Sequence, residues 1–466
     1  MPTSPAKMRA VHSPYDHRVV GEVPVHDLSY AERAVATAHH AFSHTRRLPA
    51  HERYRILRAI ESGIAARREE FANLICAEGG KPIKHARVEV DRAILVFSLA
   101  AEEARRLDGE LLPLDLNKAS ENRLGLVRRV PAGPVGALTP FNFPLNLAAH
   151  KVGPALAVGN PVVLKPAEKT PLTAKLLTEV VYESGFPEEA FHLLTPEDPR
   201  EIGTLLATDD RIRVLSFTGS DRVGWELKAK ANRKRVTLEL GGNAAVLIEP
   251  DAAIETVAGK CAVGAFAHAG QVCISVQRIF VHREVFDRFT EAFLAAARAL
   301  QVGDPADDAT DIGPMITADA CEKALSWIAA AQEGGAKTLL SGERLAPNLL
   351  SPTVLTHTRP EMKVCTEEAF APLAVVEPYA DWHEALQAVN NSRYGLQAGV
   401  FTNNIQRIFE AFDTLQVGGV IANDVPQYRV DHMPYGGEKD SGFGREGIRY
   451  AIEEMTERRL LALNLS

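Results

Sequence analysis

Val214–Leu240 reads VLSFTGSDRVGWELKAKANRKRVTLEL. Val214 to Phe217 is an apolar run of the length of a buried strand. Asp221 to Asn232 carries a helical pattern, and Val236 to Leu240 is strand-like again. The same rhythm extends outward. Upstream lie strand candidates at Val135 to Leu138, Pro161 to Leu164 and Phe191 to Leu194, separated by helical stretches at Leu147 to Val158 and Thr173 to Ser184. Strands alternating with helices predict a parallel sheet covered by helices, hence an α/β domain. Beyond Gly241-Gly242 a second cycle runs through strand Ala244 to Ile248, helix Ala252 to Phe266, strand Val276 to Val281 and helix Phe286 to Leu300, which implies a second lobe. Positions 28 to 107 read mostly as helix, at Ala31 to Ala41, Arg53 to Ile64 and Glu89 to Arg106. Two strand candidates, Asn122 to Val130 and Arg459 to Asn464, have no partner in their own neighbourhood. Such strands pair with each other or with a second subunit, so a homodimer or a dimer of dimers is expected.

Composition narrows the functional classes. The 466 residues leave room for about two to three domains, and the 46% apolar and 24% charged content is that of a globular chain. The net charge of -8, with basic residues dispersed as in Arg46-Arg47, Arg67-Arg68 and Arg128-Arg129, gives no reason to expect nucleic acid. These pairs read as solvated surface. Met1 to Val11 is polar and has no apolar stretch of signal-peptide length, and no segment reaches the roughly 18 apolar residues of a membrane span. Five cysteines without a CxxC pair indicate neither a disulfide framework nor a zinc site, and free thiols fit a reducing cytoplasm.

Several residues carry possible chemistry. Gly219 and Gly224 lie five apart between a strand and a helix, where the amides of Ser220 and Asp221 can meet a pyrophosphate, or form only a turn. Lys165 and Glu168 follow a buried strand at the carboxyl end of the sheet, where open α/β sheets bind ligands. A carboxylate there suits two ribose hydroxyls and repels a 2′-phosphate, which favours NAD over NADP; the other reading is a loop lysine and a helix-capping glutamate. Cys273 sits in a glycine-led loop, Gly270-Gln271-Val272-Cys273, and an ionised thiol is a strong nucleophile at neutral pH. Cys76, Cys261 and Cys321 fall inside helical patterns and look structural. Glu239, between Leu238 and Leu240, should be partly desolvated, which raises its pKa toward that of a useful general base, unless it simply faces water at a strand end. Asn142, among prolines in Pro140-Phe141-Asn142-Phe143-Pro144, is either an oxyanion donor or a turn-forming asparagine.

These residues together resemble the aldehyde dehydrogenase superfamily. Pro140-Phe141-Asn142-Phe143-Pro144, Phe217-Thr218-Gly219-Ser220, Glu239-Leu240-Gly241-Gly242, Gly270-Gln271-Val272-Cys273, Glu367-Glu368-Ala369-Phe370-Ala371-Pro372 and Pro434-Tyr435-Gly436-Gly437 running on to Ser441-Gly442-Phe443-Gly444-Arg445-Glu446 occur in the family's order across nearly the whole chain. The resemblance implies a Rossmann-like NAD-binding domain (residues 1–113 and 132–240), a second α/β catalytic domain (241–440) and a small β oligomerisation element (114–131 and 441–466). It implies Cys273 as nucleophile, Glu239 as general base, and the Asn142 amide with the Cys273 backbone N–H as oxyanion hole. Lys165 and Glu168 correspond to adenosine-ribose contacts, Gly219 and Ser220 to the pyrophosphate turn, and Glu368 and Phe370 to the nicotinamide-ribose clamp. The cofactor implied is NAD, with NADP possible; no metal is needed, because hydrogen bonds polarise the carbonyl. Ala371 departs from the glycine that many members carry before the proline.

Substrate is less legible. Asn142 lies near a helix start, and Asn146 and His150 follow at four-residue steps on one face. That makes a polar wall toward the reacting oxygen, although His150 also reads as a satisfied core histidine. Asn423 to Tyr435 resembles the branch holding lactaldehyde and non-phosphorylating glyceraldehyde-3-phosphate dehydrogenases, and Arg429 there can meet an anionic group. Val272 stands where phosphate-handling relatives tend to have arginine. The reading favoured is oxidation of a small polar aldehyde of the lactaldehyde or glycolaldehyde type to its acid. The alternatives are an anionic aldehyde (glyceraldehyde 3-phosphate, a phosphono- or sulfo-aldehyde, a semialdehyde) and a CoA-acylating semialdehyde dehydrogenase.

Overall fold

Val135–Leu138, Val162–Lys165 and Ala244–Ile248 are buried at every residue. Strands of a parallel sheet covered on both faces must be, which is why they read as continuous apolar runs. The computed structural model describes residues 7–465; the first six residues of the polar N-terminal stretch lie outside them.

A six-stranded sheet has the order Gly442–Phe443, Arg235–Glu239, Val214–Thr218, Val135–Leu138, Val162–Lys165, Phe191–Leu193. All neighbours are parallel except the Gly442–Phe443 edge, which runs against Leu238 and Glu239. One face is covered by helices Ala50–Ala66, Ile83–Ala104 and Asn146–Val158, the other by Leu28–Thr45, Pro199–Thr208 and Asp221–Lys230. The chain order reverses between Val135–Leu138 and Val214–Thr218, so their carboxyl ends splay apart and leave a crevice. A seven-stranded sheet has the order Lys337–Leu340, Thr353–Thr356, Leu373–Tyr379, Val276–His282, Ala244–Ile248, Gln397–Phe401, Gly419–Ala422. Only its Lys337–Leu340 edge is antiparallel.

The two strands that lacked neighbours pair with each other. Thr456–Asn464 runs antiparallel to Arg123–Pro131 from Thr456↔Pro131 to Asn464↔Arg123, and Gly109–Pro113 adds on the far side. Arg123–Pro131 is thus paired on both sides within one chain, while Thr456–Asn464 and Gly109–Pro113 are left as edge strands. The stretch 441–466 also divides differently from the expected boundary. Gly442–Phe443 joins the first sheet and Ile448–Glu454 packs on helix Asn146–Val158; only Thr456–Asn464 belongs to the small sheet. The hairpin of Met8–His12 and Val19–Pro24 was not legible, being short and half-exposed. Among the described residues, no helix is long and apolar enough to cross a membrane.

Candidate active site

A cavity of about 440 Å³ opens between the carboxyl edge of the first sheet and the amino edge of the second. Its walls include Asn142, Glu239 and Cys273, together with Lys165, Glu168, Gly219, Ser220, Glu368, Phe370 and Arg429. Residues scattered from position 142 to 429 thus meet in one space.

Cys273 is half-buried at the end of a tight loop in which His268, Ala269 and Gly270 are all left-handed (φ 52°, 55° and 69°). A Cβ on Gly270 would lie 2.1 Å from the Ala371 carbonyl oxygen, so the loop closes only with glycine there. Gln271 pins it further, accepting from the Ile316 amide at 2.9 Å. The Cys273 Sγ lies 3.0 Å from the Tyr435 hydroxyl. Burial pushes the thiol up to about 11; the Tyr435 hydroxyl and Arg429 oppose the shift, and the Glu368 and Glu239 carboxylates add to it.

Glu239 ends its strand 3% exposed, and neither carboxylate oxygen has a hydrogen-bond partner. Gly436 leaves it room, since a Cβ there would come within 3.0 Å of Oε1. Burial and then the nearby Glu446 raise its pKa well above the ordinary carboxylate value, with Arg429, Lys151 and Arg445 pulling the other way. Asn142 donates one amide hydrogen to the Gln271 carbonyl at 2.9 Å, which fixes the side chain and leaves its other N–H for the cavity. A thiol, an unpaired carboxylate and a fixed amide facing one space can add to a carbonyl, steady the resulting oxyanion and later activate water.

Asn146 and His150 do not line this cavity. Helix Asn146–Val158 begins at Asn146, so Asn142 lies outside it, and all 13 of its residues are buried, so a four-residue step selects no open face. The Asn146 backbone N–H donates to Glu89 at 3.1 Å while its side-chain Oδ1 is buried without a partner, and the His150 Nε2 lies 2.9 Å from Asp431 Oδ1, which Arg92 also binds at 2.6 Å. His150 is a core histidine held through Nε2, its buried Nδ1 left without a hydrogen-bond partner.

Four further residues escaped the sequence reading. Lys151 and Glu446, both buried, pair at 2.9 Å, and Lys151 also donates to the Ser216 hydroxyl at 3.0 Å. Arg429 donates to Glu446 at 3.2 Å and stacks over Tyr435, 3.6 Å from the ring centroid. Burial would raise Glu446, but Lys151, His150 and Arg429 outweigh it and hold the carboxyl down at about 2. Tyr435, Glu446 and Asp431 stood inside or beside quoted motifs, yet nothing local in the pattern says which of them turns inward. Lys151 gave no signal at all.

The aldehyde dehydrogenase family profile matches residues 2–461. The chain belongs to this family. It is 44% identical to the 3-sulfolactaldehyde dehydrogenase of Priestia aryabhattai over 99% of this chain and 96% of that one. It superposes with a TM-score of 0.96 on aldehyde dehydrogenase 21 from Physcomitrella patens in complex with the product succinate, at 39% identity, covering 99% and 96% of the two chains. The TM-score is 0.94 with the NADP-bound glyceraldehyde-3-phosphate dehydrogenase of Methanocaldococcus jannaschii, at 36% identity, covering 99% and 100%. This aldehyde dehydrogenase is accordingly an oxidoreductase that oxidises aldehydes with NAD or NADP.

The cleft of this aldehyde dehydrogenase fits such a cofactor. Ser220 caps helix Asp221–Lys230 without a side-chain hydrogen bond; the Asp221 carboxylate takes the Arg222 amide at 2.8 Å, and the other first-turn amides are left for an anion. A Cβ on Gly219 would lie 2.6 Å from the Phe217 ring, and one on Gly241 would lie 2.7 Å from Glu368 Oε2. Glycine at both positions keeps the floor open. Glu368 accepts from the Gly242 amide at 3.1 Å and is pushed up to about 7 by burial, which that hydrogen bond opposes. Phe370 is held left-handed at φ 51°, its ring edge-on to Phe141 at 5.9 Å. Lys165 and Glu168 form an ion pair of 2.6 Å in the same wall.

Proposed function

We propose that the enzyme oxidises a short 2-hydroxyaldehyde bearing an acidic group on its distal carbon, through a thioester on Cys273. The observation that carries the substrate reading is Arg429. It lines the catalytic cavity, is 7% exposed, and keeps a buried Nε with no hydrogen-bond partner. An unsatisfied buried guanidinium N–H is costly, and an anionic substrate group repays it with a charge-assisted bond. The likeness to a 3-sulfolactaldehyde dehydrogenase supports the same class. The uncharged lactaldehyde reading is supported by the likeness to lactaldehyde dehydrogenases, but Asn146 and His150 lie outside the cavity and add nothing to it, whereas the unpartnered Arg429 Nε favours the anionic class. In the test, kcat/KM is measured for 3-sulfolactaldehyde and lactaldehyde with wild type and Arg429→Met. Because Arg429 also holds Glu446 and Tyr435, Arg429→Met should slow both substrates, but the sulfonated aldehyde roughly 10- to 100-fold more than lactaldehyde. An equal loss on both would make Arg429 a structural residue and end this reading.

In the proposed chemistry, the Cys273 thiolate adds to the aldehyde carbon while the Asn142 amide and the Cys273 backbone N–H receive the oxyanion. The nicotinamide cofactor, when bound, accepts the hydride whose departure leaves a thioester. Glu239 takes a proton from the water that attacks this thioester, and the thiol is released. Glu239, unpaired and facing the cavity, supports hydrolysis over transfer to CoA; strict CoA dependence of NADH formation would reverse that choice.

The proposed cofactor contacts are Lys165 and Glu168 at the adenosine ribose, Gly219 and Ser220 at the pyrophosphate, and Glu368 and Phe370 at the nicotinamide ribose. NAD is the proposed cofactor, because the Glu168 carboxylate repels a 2′-phosphate. Glu168→Ser should raise the NADP-to-NAD ratio of kcat/KM about tenfold or more, one like-charge contact being worth on the order of 1.4 kcal/mol. An unchanged ratio would remove Glu168 from the specificity argument.

The first sheet with its helices is proposed as the cofactor domain, now including residues 441–455, the second as the catalytic domain, and the three-stranded sheet as the oligomerisation element. Leu111, Leu126, Leu460 and Leu461 are exposed on that sheet and Ile405, Phe409 and Phe412 on helix Ile405–Thr414. Apolar surface of this kind supports a homodimer or homotetramer. Light scattering should give a multiple of 50.7 kDa, and a species of that mass alone would contradict it. Five unpaired cysteines support a cytoplasmic setting.

A further inference from the structure

Arg46-Arg47 and Arg128-Arg129, distant in sequence and read as solvated surface, are brought together by the fold. They line a second cavity of about 640 Å³, along with Arg53 and Arg105. It lies where the loop before helix Ala50–Ala66, the carboxyl end of helix Ile83–Ala104 and the end of strand Arg123–Pro131 meet, and it shares no residue with the catalytic cavity. Six arginines face it against one acid, Asp108. In a chain of net charge -8 this is a strongly local excess.

Arg129 is paired, at 3.5 Å, with Glu453. Arg46 and Arg105 stack on Phe42 and Tyr54, at 5.1 and 4.8 Å, with their N–H edges unused. Arg46, Arg47 and Arg105 lie at helix carboxyl ends, where the helix dipole alone favours a cation. That account does not reach Arg53 or Arg128. Arg53 is in the first turn of its helix, where the dipole disfavours it, and its Nε is buried with no partner. Arg128 sits on strand Arg123–Pro131 and forms no ion pair among the described residues. The adjoining groove, in contrast, sets Arg106, Arg129, Arg449 and Arg458 against Glu103, Asp108, Glu110 and Glu453. Balanced charge is the local habit, and the second cavity departs from it. Pro49, the cap of helix Ala50–Ala66, makes no side-chain hydrogen bond, and it and Ala50 line the cavity, so the uncapped N-terminus of that helix adjoins it.

We propose that this cavity is a second ligand site, for a small polyanion of the phosphate-ester class carrying two or more negative charges. Its size lies within the range of small-molecule sites, and several guanidinium forks suit several phosphate oxygens. Sodium tripolyphosphate is the probe, titrated calorimetrically into the enzyme saturated with NAD so that the catalytic cleft is already filled. Wild type should bind it saturably, about one per chain, at an ionic strength held with NaCl. Arg53→Gln/Arg128→Gln should weaken that binding at least tenfold while leaving NAD affinity and aldehyde turnover unchanged. No saturable binding, or undiminished binding by the double variant, would overturn the proposal. So would a fall in the sedimenting mass of the variant with no anion bound by wild type, since the arginines would then meet an acidic face of a second copy.

Discussion

Replacing Cys273 with alanine is expected to lower aldehyde oxidation by roughly 10⁴-fold or more, the scale seen when a nucleophile is removed, while the affinity for NAD stays within about twofold. The asymmetry follows from the geometry. The sulfur is at the catalytic end of the cavity against Tyr435, whereas Lys165, Glu168, Gly219 and Ser220 lie on the other sheet. Alanine fills less space than cysteine and leaves the left-handed turn at His268, Ala269 and Gly270 intact. Alkylation by iodoacetamide reads the same thiol independently. With burial holding it at about 11, its reaction rate in the free enzyme should climb with pH through the alkaline range. Tyr435→Phe removes a donor that favours the thiolate and should shift that climb further up. Turnover surviving in the alanine variant would remove Cys273 from the chemistry.

Glu239→Gln is the second large effect. Loss of a general base costs roughly 10²- to 10⁴-fold, and here the loss should fall on thioester hydrolysis. Rapid mixing should show a burst of about one NADH per site followed by a slow steady state; a uniform slowing with no burst would place Glu239 before hydride transfer instead. The pH dependence has a definite sign. Burial and Glu446 raise the Glu239 pKa well above 4.5, and only the ionised form accepts a proton, so hydrolysis rises with pH through that raised value. Stability runs the opposite way. The unfolded chain gives up this proton near 4.5 and the folded one later, so the stabilisation present below 4.5 is lost as pH rises through the folded value. Glutamine cannot ionise, so the variant should melt at a higher temperature than wild type near neutral pH. That is the trade expected where a functional carboxylate is kept buried and unpaired. A lower melting temperature would mean that the carboxylate is held by contacts the glutamine breaks.

Much of both sheets was legible because the signal is local. Val135–Leu138 and Ala244–Ile248 stand in the structure where the apolar runs put them, and helix Phe286–Ala299 differs from its expected span by one residue. Cys273, Glu239 and Asn142 were legible through motif order and residue chemistry, since glycine- and proline-bounded loops announce themselves in sequence. The substrate wall was not. Helix Asn146–Val158 is apolar around most of its circumference, so periodicity carries no direction there. Charged and polar residues within it, Lys151 and His150, are explained only by Glu446 and Asp431, 295 and 281 positions away.

By itself, the chain determined its strand–helix rhythm, its glycine-bounded turns and the residue types able to attack a carbonyl, because these depend on neighbours within a few positions. Only the tertiary structure decided which buried charges pair, that the two orphan strands pair with each other, that Arg429 rather than His150 faces the cavity, and that scattered arginines converge on a second one. Those outcomes turn on desolvation and on the meeting of side chains hundreds of residues apart, for which no local pattern exists.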